Sequence, residues 1–155
     1  MSIEIRKGTE ADISQALQLV KELAVYEKAP DEVEVTPEEM LDWGFGDNKQ
    51  FDFFVAIEND ITIGLALYYY KYSTWKGKCL FLEDIIVTES QRGRGLGKLL
   101  FDKVVEVSKE QKVRRMEWQV LDWNTPAIEF YKKYNATFDG EWVNCKLTNH
   151  QLEKI

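Results

Sequence analysis

A glycine-rich turn between two apolar segments constrains the fold of this chain more than any other feature. The turn reads Gln91-Arg92-Gly93-Arg94-Gly95-Leu96-Gly97 and follows the run Cys79 to Val87, which is apolar except for two adjacent carboxylates. After the turn, apolar residues recur at helical spacing, at Leu96, Leu99, Leu100, Val104 and Val107. The pattern predicts a buried strand, a tight turn and a helix whose apolar face packs on a sheet.

The turn has the position and composition of a phosphate site. At the start of a helix, backbone N–H groups and the helix dipole favour an anion, and glycine removes the Cβ atoms that would keep it away. Arg92, Arg94 and Lys98 add positive charge at the same place, which favours a pyrophosphate over the alternative of a purely structural turn. A dinucleotide fingerprint is excluded by Lys98, and a Walker loop is excluded by Arg92 and Leu99.

Hydrophobic periodicity and capping signals define the other elements. Strands are predicted at Ile3–Ile5, Phe51–Glu58, Ile61–Tyr72, Cys79–Val87 and Met116–Val120, and a closing hairpin at Phe138–Leu147. Further helices are predicted after the caps Thr9, Thr36 and Asn124, and Asn59-Asp60 is predicted to be a hairpin turn. This order predicts an α/β or α+β fold, with a mixed, mostly antiparallel central sheet flanked by helices on both faces.

Length, charge and cysteine content narrow the class of protein. The 155 residues, 45% of them hydrophobic, can form one core, so we expect a single domain over residues 1–155. A net charge of −7 argues against nucleic acid and suits a cationic small molecule, although ordinary solubility explains the same charge. With two cysteines, one histidine and no long apolar segment, we expect a cytoplasmic protein without a metal site and without membrane association.

At these residues the chain resembles the GNAT superfamily of N-acetyltransferases. The turn matches the Q/R-x-x-G-x-G/A signature for acyl-coenzyme A, and the similarity extends over almost the whole chain. It is closest to the spermidine/spermine (diamine) acetyltransferase branch, through Lys21-Glu22-Leu23-Ala24 with Tyr26-Glu27, Leu82-Glu83-Asp84, and Asn124-Thr125-Pro126 with Phe130-Tyr131-Lys132. The resemblance implies the GNAT acyl-CoA N-acyltransferase fold, acetyl-CoA as the acetyl donor and a homodimer.

The resemblance also implies which residues contact the donor. Two main strands of the sheet splay apart, and the pantetheine arm lies in the gap against the backbone of Ile85, Ile86 and Val87. The pyrophosphate is expected on the turn. The remaining cofactor contacts implied are Arg92, Gly93, Arg94, Gly95, Leu96, Gly97, Lys98, Asn124, Pro126, Ala127 and Tyr131. Asn135 stands where the family usually has glycine, and asparagine tolerates the left-handed conformation required there.

Glu83 and Asp84 interrupt a strand that is otherwise suited to burial, so at least one of them must point inward or sit at a bulge. They either form an ion pair that holds the core or belong to a site that uses a perturbed carboxylate. Strand alternation predicts that they face opposite sides of the sheet, so that one of them acts on substrate. An alkylammonium must lose a proton before it attacks a thioester, and Glu83 is the candidate base, acting through water by resemblance.

Tyrosine and acid residues complete the predicted site. Tyr131 lies in a helical stripe that also fits an ordinary core, and the resemblance implies that it is the acid that protonates the departing thiolate. Tyr26 and Glu27 either belong to a solvated acidic loop or line the amine channel that the resemblance implies, together with Glu83 and Asp84.

The predicted activity is acetyl transfer from acetyl-CoA to a primary amine of a small cation such as a diamine or polyamine. The alternatives are a thialysine, amino-acid or peptide amine as the acceptor, and a module that senses acyl-CoA without turnover.

Overall fold

The computed structural model describes residues 2–155. They fall into two compact units, the first ending at Gln119 and the second spanning Val120–Ile155. The expectation of a single domain over residues 1–155 stays a prediction. Within residues 2–155, none of the helices has the length and apolar character needed to cross a bilayer.

The first unit contains the sheet and three main helices. Its strands are β1 Glu4–Lys7, β2 Asp52–Glu58, β3 Ile61–Ser73, β4 Gly77–Val87 and β5 Arg115–Glu117, and its helices are α1 Ile13–Tyr26, α2 Pro37–Phe45 and α3 Leu96–Glu110. The strands lie in the order β1-β2-β3-β4-β5. All neighbours are antiparallel except β4 and β5, which are parallel. The predicted mixed, mostly antiparallel sheet is therefore confirmed.

Local signals account for the boundaries of these elements. Thr9 and Asp12 form a capping box before α1, and Thr36 and Glu39 form one before α2. The β2–β3 hairpin turns at Asn59-Asp60, where both residues have positive φ, as a tight right-twisted hairpin requires. These predictions are confirmed.

Helices cover both faces of the sheet. On one face, Val55, Leu65 and Leu67 are buried in a core with α1 and α2. On the other face α3 lies so close that a Cβ on Gly64 would stand 2.9 Å from Leu100 Cδ1 and 3.2 Å from Ala56 Cβ. The glycine in β3 therefore sets how closely α3 approaches the sheet.

The second unit contains α4, Thr125–Lys132, and α5, Asn149–Leu152. Asn124 caps α4 by accepting a hydrogen bond from the Ala127 N–H at 3.4 Å, as predicted. Asn135 has a φ of 57°, which confirms that asparagine takes the left-handed conformation after this helix.

Three predictions about elements are wrong. The residues 138–147 contain no strand, and Trp142 and Val143 are 74% and 82% exposed, so the apolar face that would hold a hairpin together is not covered. Leu99 was predicted on the buried apolar face of α3 but is 48% exposed, whereas Phe101, which was not predicted there, is buried. β5 ends at Glu117 rather than continuing to Val120, because its pairing with β4 stops at the Phe81–Glu117 pair.

We expect Gly64→Val to lower the free energy of unfolding by about 1 to 3 kcal/mol, because the added methyl groups overpack the contact between β3 and α3. Gly140→Val is the matched control, since a Cβ at Gly140 meets no atom within 4 Å. Urea unfolding of both variants measures the difference. Equal effects at the two positions would contradict the close approach of α3.

Candidate active site

A β-bulge in β4 shapes the site. In the β3–β4 ladder, Leu67 lies opposite Asp84 and Tyr68 lies opposite Leu82, so Glu83 is an extra residue without a partner. A bulge bends its strand and locally increases its twist. The prediction that a carboxylate of this strand sits at a bulge is confirmed.

The bulge places both carboxylates on the same face of the sheet. Tyr69 follows Leu67 by two residues in β3 and so shares its face, and the Tyr69 hydroxyl donates a hydrogen bond to Glu83 at 3.0 Å. Asp84, opposite Leu67, lines a cavity between the sheet, α1 and α2. The prediction that Glu83 and Asp84 face opposite sides is wrong, because strict alternation does not continue through a bulge.

Glu27, at the end of α1, joins Glu83 and Asp84 in an acidic cluster. Burial, followed by the charges of Glu83 and Glu27, raises the pKa of Asp84 to about 7. Burial, followed by the charge of Glu83, raises the pKa of Glu27. Burial and the adjacent Glu83 also raise the pKa of Tyr69 to about 12. The cluster therefore favours a cation, and Tyr69 keeps its proton to donate to Glu83.

A cavity of about 250 Å³ adjoins this cluster. Apart from Asp84 and Gln50, its lining is apolar, and it includes Val20, Val33, Val35, Met40, Trp43 and Leu67. Val35 and Trp43 are 37% and 40% exposed, so the cavity opens to solvent on their side.

The edge of β4 beyond the bulge is open on the side of β5. The parallel ladder pairs Cys79, Leu80 and Phe81 of β4 with β5 and goes no further within residues 2–155. Ile85, Ile86 and Val87 thus lie on a strand whose outer edge has no ladder partner in this part of the chain. Main-chain groups at such an edge can pair with an extended ligand that adds to the sheet like a strand, although the Val87 carbonyl already accepts a hydrogen bond from Arg92.

The glycine turn has the geometry of an anion cradle. Gly93 and Gly95 have φ of 81° and 77°, where a side chain would be strained, and Gly95 caps the start of α3. A Cβ on Gly93, Gly95 or Gly97 would meet no protein atom within 4 Å, so space lies open beside the turn. This space is a depression of about 270 Å³, lined by the turn and Val87. The N–H groups of the first turn of α3 have no partner within the helix, which suits a phosphate group.

The cations of the turn are largely engaged within the protein. Arg94 forms a two-pronged pair with Glu58, at 3.0 and 2.8 Å, and also donates to Gln91. Lys98 lies 2.6 Å from Asp102. Two of the three predicted cations, Arg94 and Lys98, are therefore paired with carboxylates, and their contact with a cofactor stays a prediction. The backbone N–H groups and the helix dipole carry more of the expected anion binding.

Arg92 connects the turn to the end of α1. Its Nε donates to the Val87 carbonyl oxygen at 3.1 Å, and its guanidinium lies over the Tyr26 ring, 5.1 Å from the centroid. One turn earlier in α1, Glu22 accepts hydrogen bonds from the Thr88 hydroxyl and from the Glu89 N–H at 2.9 Å. The end of α1 therefore contributes to both features: Glu27 belongs to the acidic cluster, and Tyr26 contacts Arg92 of the glycine turn.

Glu22 and Glu58 are structural partners that sequence reasoning missed. Each sits on an element distant in sequence from the residue that it holds, 66 and 36 residues away. No periodicity or motif in the sequence signals such a pair. Acidic residues at the end of a strand or helix are common on any soluble surface.

Tyr131 and the other predicted contacts of the second unit lie in or next to α4. Pro126 occupies the first turn of α4, Asn124 and Ala127 form its cap, and Tyr131 is buried, with its ring 5.4 Å from the ring of Phe130. Among residues 2–155, no three His, Cys, Asp or Glu side chains form a group that could hold a metal ion.

Comparison with known proteins identifies the family. The sequence profile of the Acetyltransferase (GNAT) family matches residues 16–136. A thialysine N-epsilon-acetyltransferase from Sus scrofa is 37% identical over 143 residues, which cover 87% of this chain and 84% of the relative. A spermidine/spermine N(1)-acetyltransferase-like protein from Homo sapiens is 34% identical over 140 residues, covering 86% of this chain and 20% of that protein.

The fold has close counterparts among solved structures. An integron cassette protein from the mobile metagenome of V. cholerae superposes with a TM-score of 0.80 over 99% of this chain and 97% of that chain, at 22% sequence identity. The chain therefore belongs to the Acetyltransferase (GNAT) family. It is an acetyl-CoA-dependent N-acetyltransferase that acts on amines, which confirms the predicted class of activity and the acetyl donor.

We expect Glu58→Gln to weaken coenzyme A binding about 3- to 10-fold, because loss of the ion pair with Arg94 loosens the glycine turn and raises the cost of ordering it. Glu106→Gln is the control, since Glu106 forms a surface pair with Lys103 on α3, at 3.8 Å, away from the turn. Isothermal titration calorimetry measures both dissociation constants. An unchanged constant in Glu58→Gln would show that the pair does not hold the turn.

The raised pKa of Asp84 predicts a pH-dependent stability difference between the wild type and Asp84→Asn. An ordinary aspartate ionises near 3.8, whereas Asp84 in the folded protein holds its proton to about pH 7. Asp84 therefore favours the folded state at low pH, and this contribution to the free energy of unfolding is lost as the pH rises through the pKa of Asp84 in the folded protein.

Between about pH 5 and about pH 8.5, we expect the wild type to lose about 1 to 3 kcal/mol of stability relative to Asp84→Asn. Urea unfolding of both proteins at the two pH values measures this change. A difference that does not vary with pH would contradict the burial of Asp84 as a titrating group.

Proposed function

We propose that the acceptor is a primary amine of a small cationic molecule, a diamine or polyamine in the first place. The observation that carries the proposal is the convergence of Glu27, Glu83 and Asp84 on one face of the sheet, next to the bulge. Three carboxylates in a partly buried site attract an alkylammonium and disfavour an acidic acceptor. A molecule with two ammonium groups can interact with more than one of them.

Glu83 is the proposed base. An alkylammonium, with an ordinary pKa of about 10.4, must release a proton before its nitrogen can attack. Glu83 is exposed at the bulge, and its carboxylate is oriented by the Tyr69 hydroxyl. It takes the ammonium proton through a water molecule, which leaves a neutral amine beside the thioester.

The remaining steps of the proposed reaction use the bulge and Tyr131. Acetyl-CoA supplies the acetyl group as a thioester. The amine nitrogen attacks the thioester carbonyl carbon, and main-chain N–H groups at the bulge stabilise the oxyanion that forms. As the carbon–sulfur bond breaks, the Tyr131 hydroxyl donates its proton to the leaving sulfur. The nitrogen loses its second proton, which returns through water to the tyrosinate, and the products are the acetylated amine and free coenzyme A.

The proposed donor site consists of the open edge of β4 and the glycine turn. Ile85 to Val87 receive the pantetheine arm through main-chain hydrogen bonds, and Gly93 to Lys98 receive the pyrophosphate. The unpaired outer edge of β4 and the open space beside the glycines fit these two parts of the cofactor. Asn124, Pro126 and Ala127 are proposed contacts of the second unit, and Tyr26 completes the acceptor side.

Thialysine is the second candidate acceptor. The Sus scrofa relative is named as a thialysine acetyltransferase, and its matched region covers most of both chains. The side chain of thialysine ends in the same aminoethyl group as a short diamine, but its α-carboxylate brings a negative charge toward the acidic cluster.

We also propose that the protein is a homodimer and that it is cytoplasmic.

Release of coenzyme A from acetyl-CoA tests the proposed function, with putrescine, spermidine, spermine, thialysine, lysine and a short peptide as acceptors. We expect a small dicationic amine to give the highest kcat/KM. Glu83→Gln should lower kcat by about 10²- to 10⁴-fold, and Tyr131→Phe by about 10²-fold or more, while coenzyme A binding is retained.

Glu106→Gln and Tyr72→Phe are the controls for these two variants, since both side chains are exposed and lie outside the proposed site. Full turnover in Glu83→Gln would exclude Glu83 as the base. Preference for the peptide over every small amine would overturn the proposed acceptor class, and a clear preference for thialysine over putrescine would select the second candidate.

A further inference from the structure

The cavity beside Asp84 is larger and more apolar than a linear diamine requires. Its volume of about 250 Å³ is formed by side chains of α1, α2 and the segment between them, with Leu67 as the floor. An apolar cavity of about 150 Å³ is sufficient to bind benzene. This cavity therefore has room for a phenyl ring and a short carbon linker.

Asp84 gives the cavity one ionisable wall. Its carboxyl group makes no hydrogen bond or ion pair within residues 2–155, and the charges closest to it are the carboxylates of Glu83 and Glu27. A buried carboxylate without a partner is costly unless a cation neutralises it. The chemistry of the cavity thus matches a molecule with an apolar body and one ammonium group.

The solvent-exposed rim and the Asp84 carboxyl group lie at different places in the cavity. Val35 and Trp43 lie where the cavity meets solvent, whereas Asp84 lies on the sheet next to the bulge. A ligand that places its ammonium at Asp84 therefore has its nitrogen next to Glu83, and its apolar body extends between α1 and α2 toward Trp43. Such a ligand has its reactive nitrogen at the proposed base.

We infer that the enzyme accepts aralkylamines of the size of phenethylamine, with the ring in the cavity lined by Val35, Met40 and Trp43 and the ammonium between Asp84 and Glu83. The inference rests on the proposed function, because it places the acceptor nitrogen beside Glu83. It adds a class of acceptor that carries one positive charge and an apolar body.

The test compares phenethylamine with ethylamine, which has the same reactive end without the ring, and with putrescine. Burial of the ring should make kcat/KM for phenethylamine about 10- to 100-fold higher than for ethylamine. Val35→Phe fills the cavity from its rim and should reduce this ratio to about 1. Val143→Phe, at an exposed position outside the cavity, should leave the ratio unchanged.

A binding measurement separates this inference from the proposed function. Ligand-observed NMR gives the affinities of phenethylamine and of its neutral analogue 2-phenylethanol for the wild type, Val35→Phe and Asp84→Asn. We expect the wild type to prefer the amine, Asp84→Asn to lose that preference and Val35→Phe to weaken both ligands.

Two outcomes would overturn the inference. The first is turnover of ethylamine or putrescine with a phenethylamine ratio near or below 1. The second is the absence of phenethylamine binding that depends on Val35 and Asp84. If no amine is acetylated, the proposed function fails, and the binding data alone then support or overturn the occupancy of the cavity.

Discussion

The bulge at Glu83 is the constraint on which the other features of the site depend. One extra residue in β4 puts two neighbouring carboxylates on the same face, beside the end of α1. The β4–β5 ladder ends two residues before the bulge, at Phe81, and the edge that follows is open within residues 2–155. A bulge bends its strand, so the same irregularity accounts for the acidic cluster and for the end of the parallel pairing.

The energetic cost of this arrangement is concentrated at Asp84. Its carboxyl is largely buried, and burial together with the charges of Glu83 and Glu27 raises its pKa. Elsewhere in the first unit, buried acids have partners, as Asp12 does in its pair with Arg6 at 2.7 Å. The contrast separates an acid that stabilises the fold through an ion pair from one that, in the proposed function, a bound cation would stabilise.

Much of the fold could be predicted from sequence, because local chemistry determines it. The Thr36 and Asn124 caps, the Asn59-Asp60 turn and the strand–turn–helix unit around Gly93 to Gly97 each depend on residues close in sequence. The errors arise where contacts between residues distant in sequence determine the position of a side chain. The register of β3 against β4 determines the side on which Glu83 lies, and the Arg94 pair with Glu58 determines what that guanidinium contacts. Neither the register nor the pair has a signature in the local sequence.

The proposed donor site and the cavity are built from different kinds of chemical group. The proposed donor side consists mainly of main-chain groups, at the edge of β4 and at the start of α3, whereas side chains of α1, α2 and the segment between them form walls of the cavity. A side-chain substitution leaves main-chain N–H groups in place, but it changes the shape of a cavity directly. In the proposed site, single substitutions in the cavity walls therefore change the range of acceptors while the main-chain groups that bind the acetyl donor stay in place.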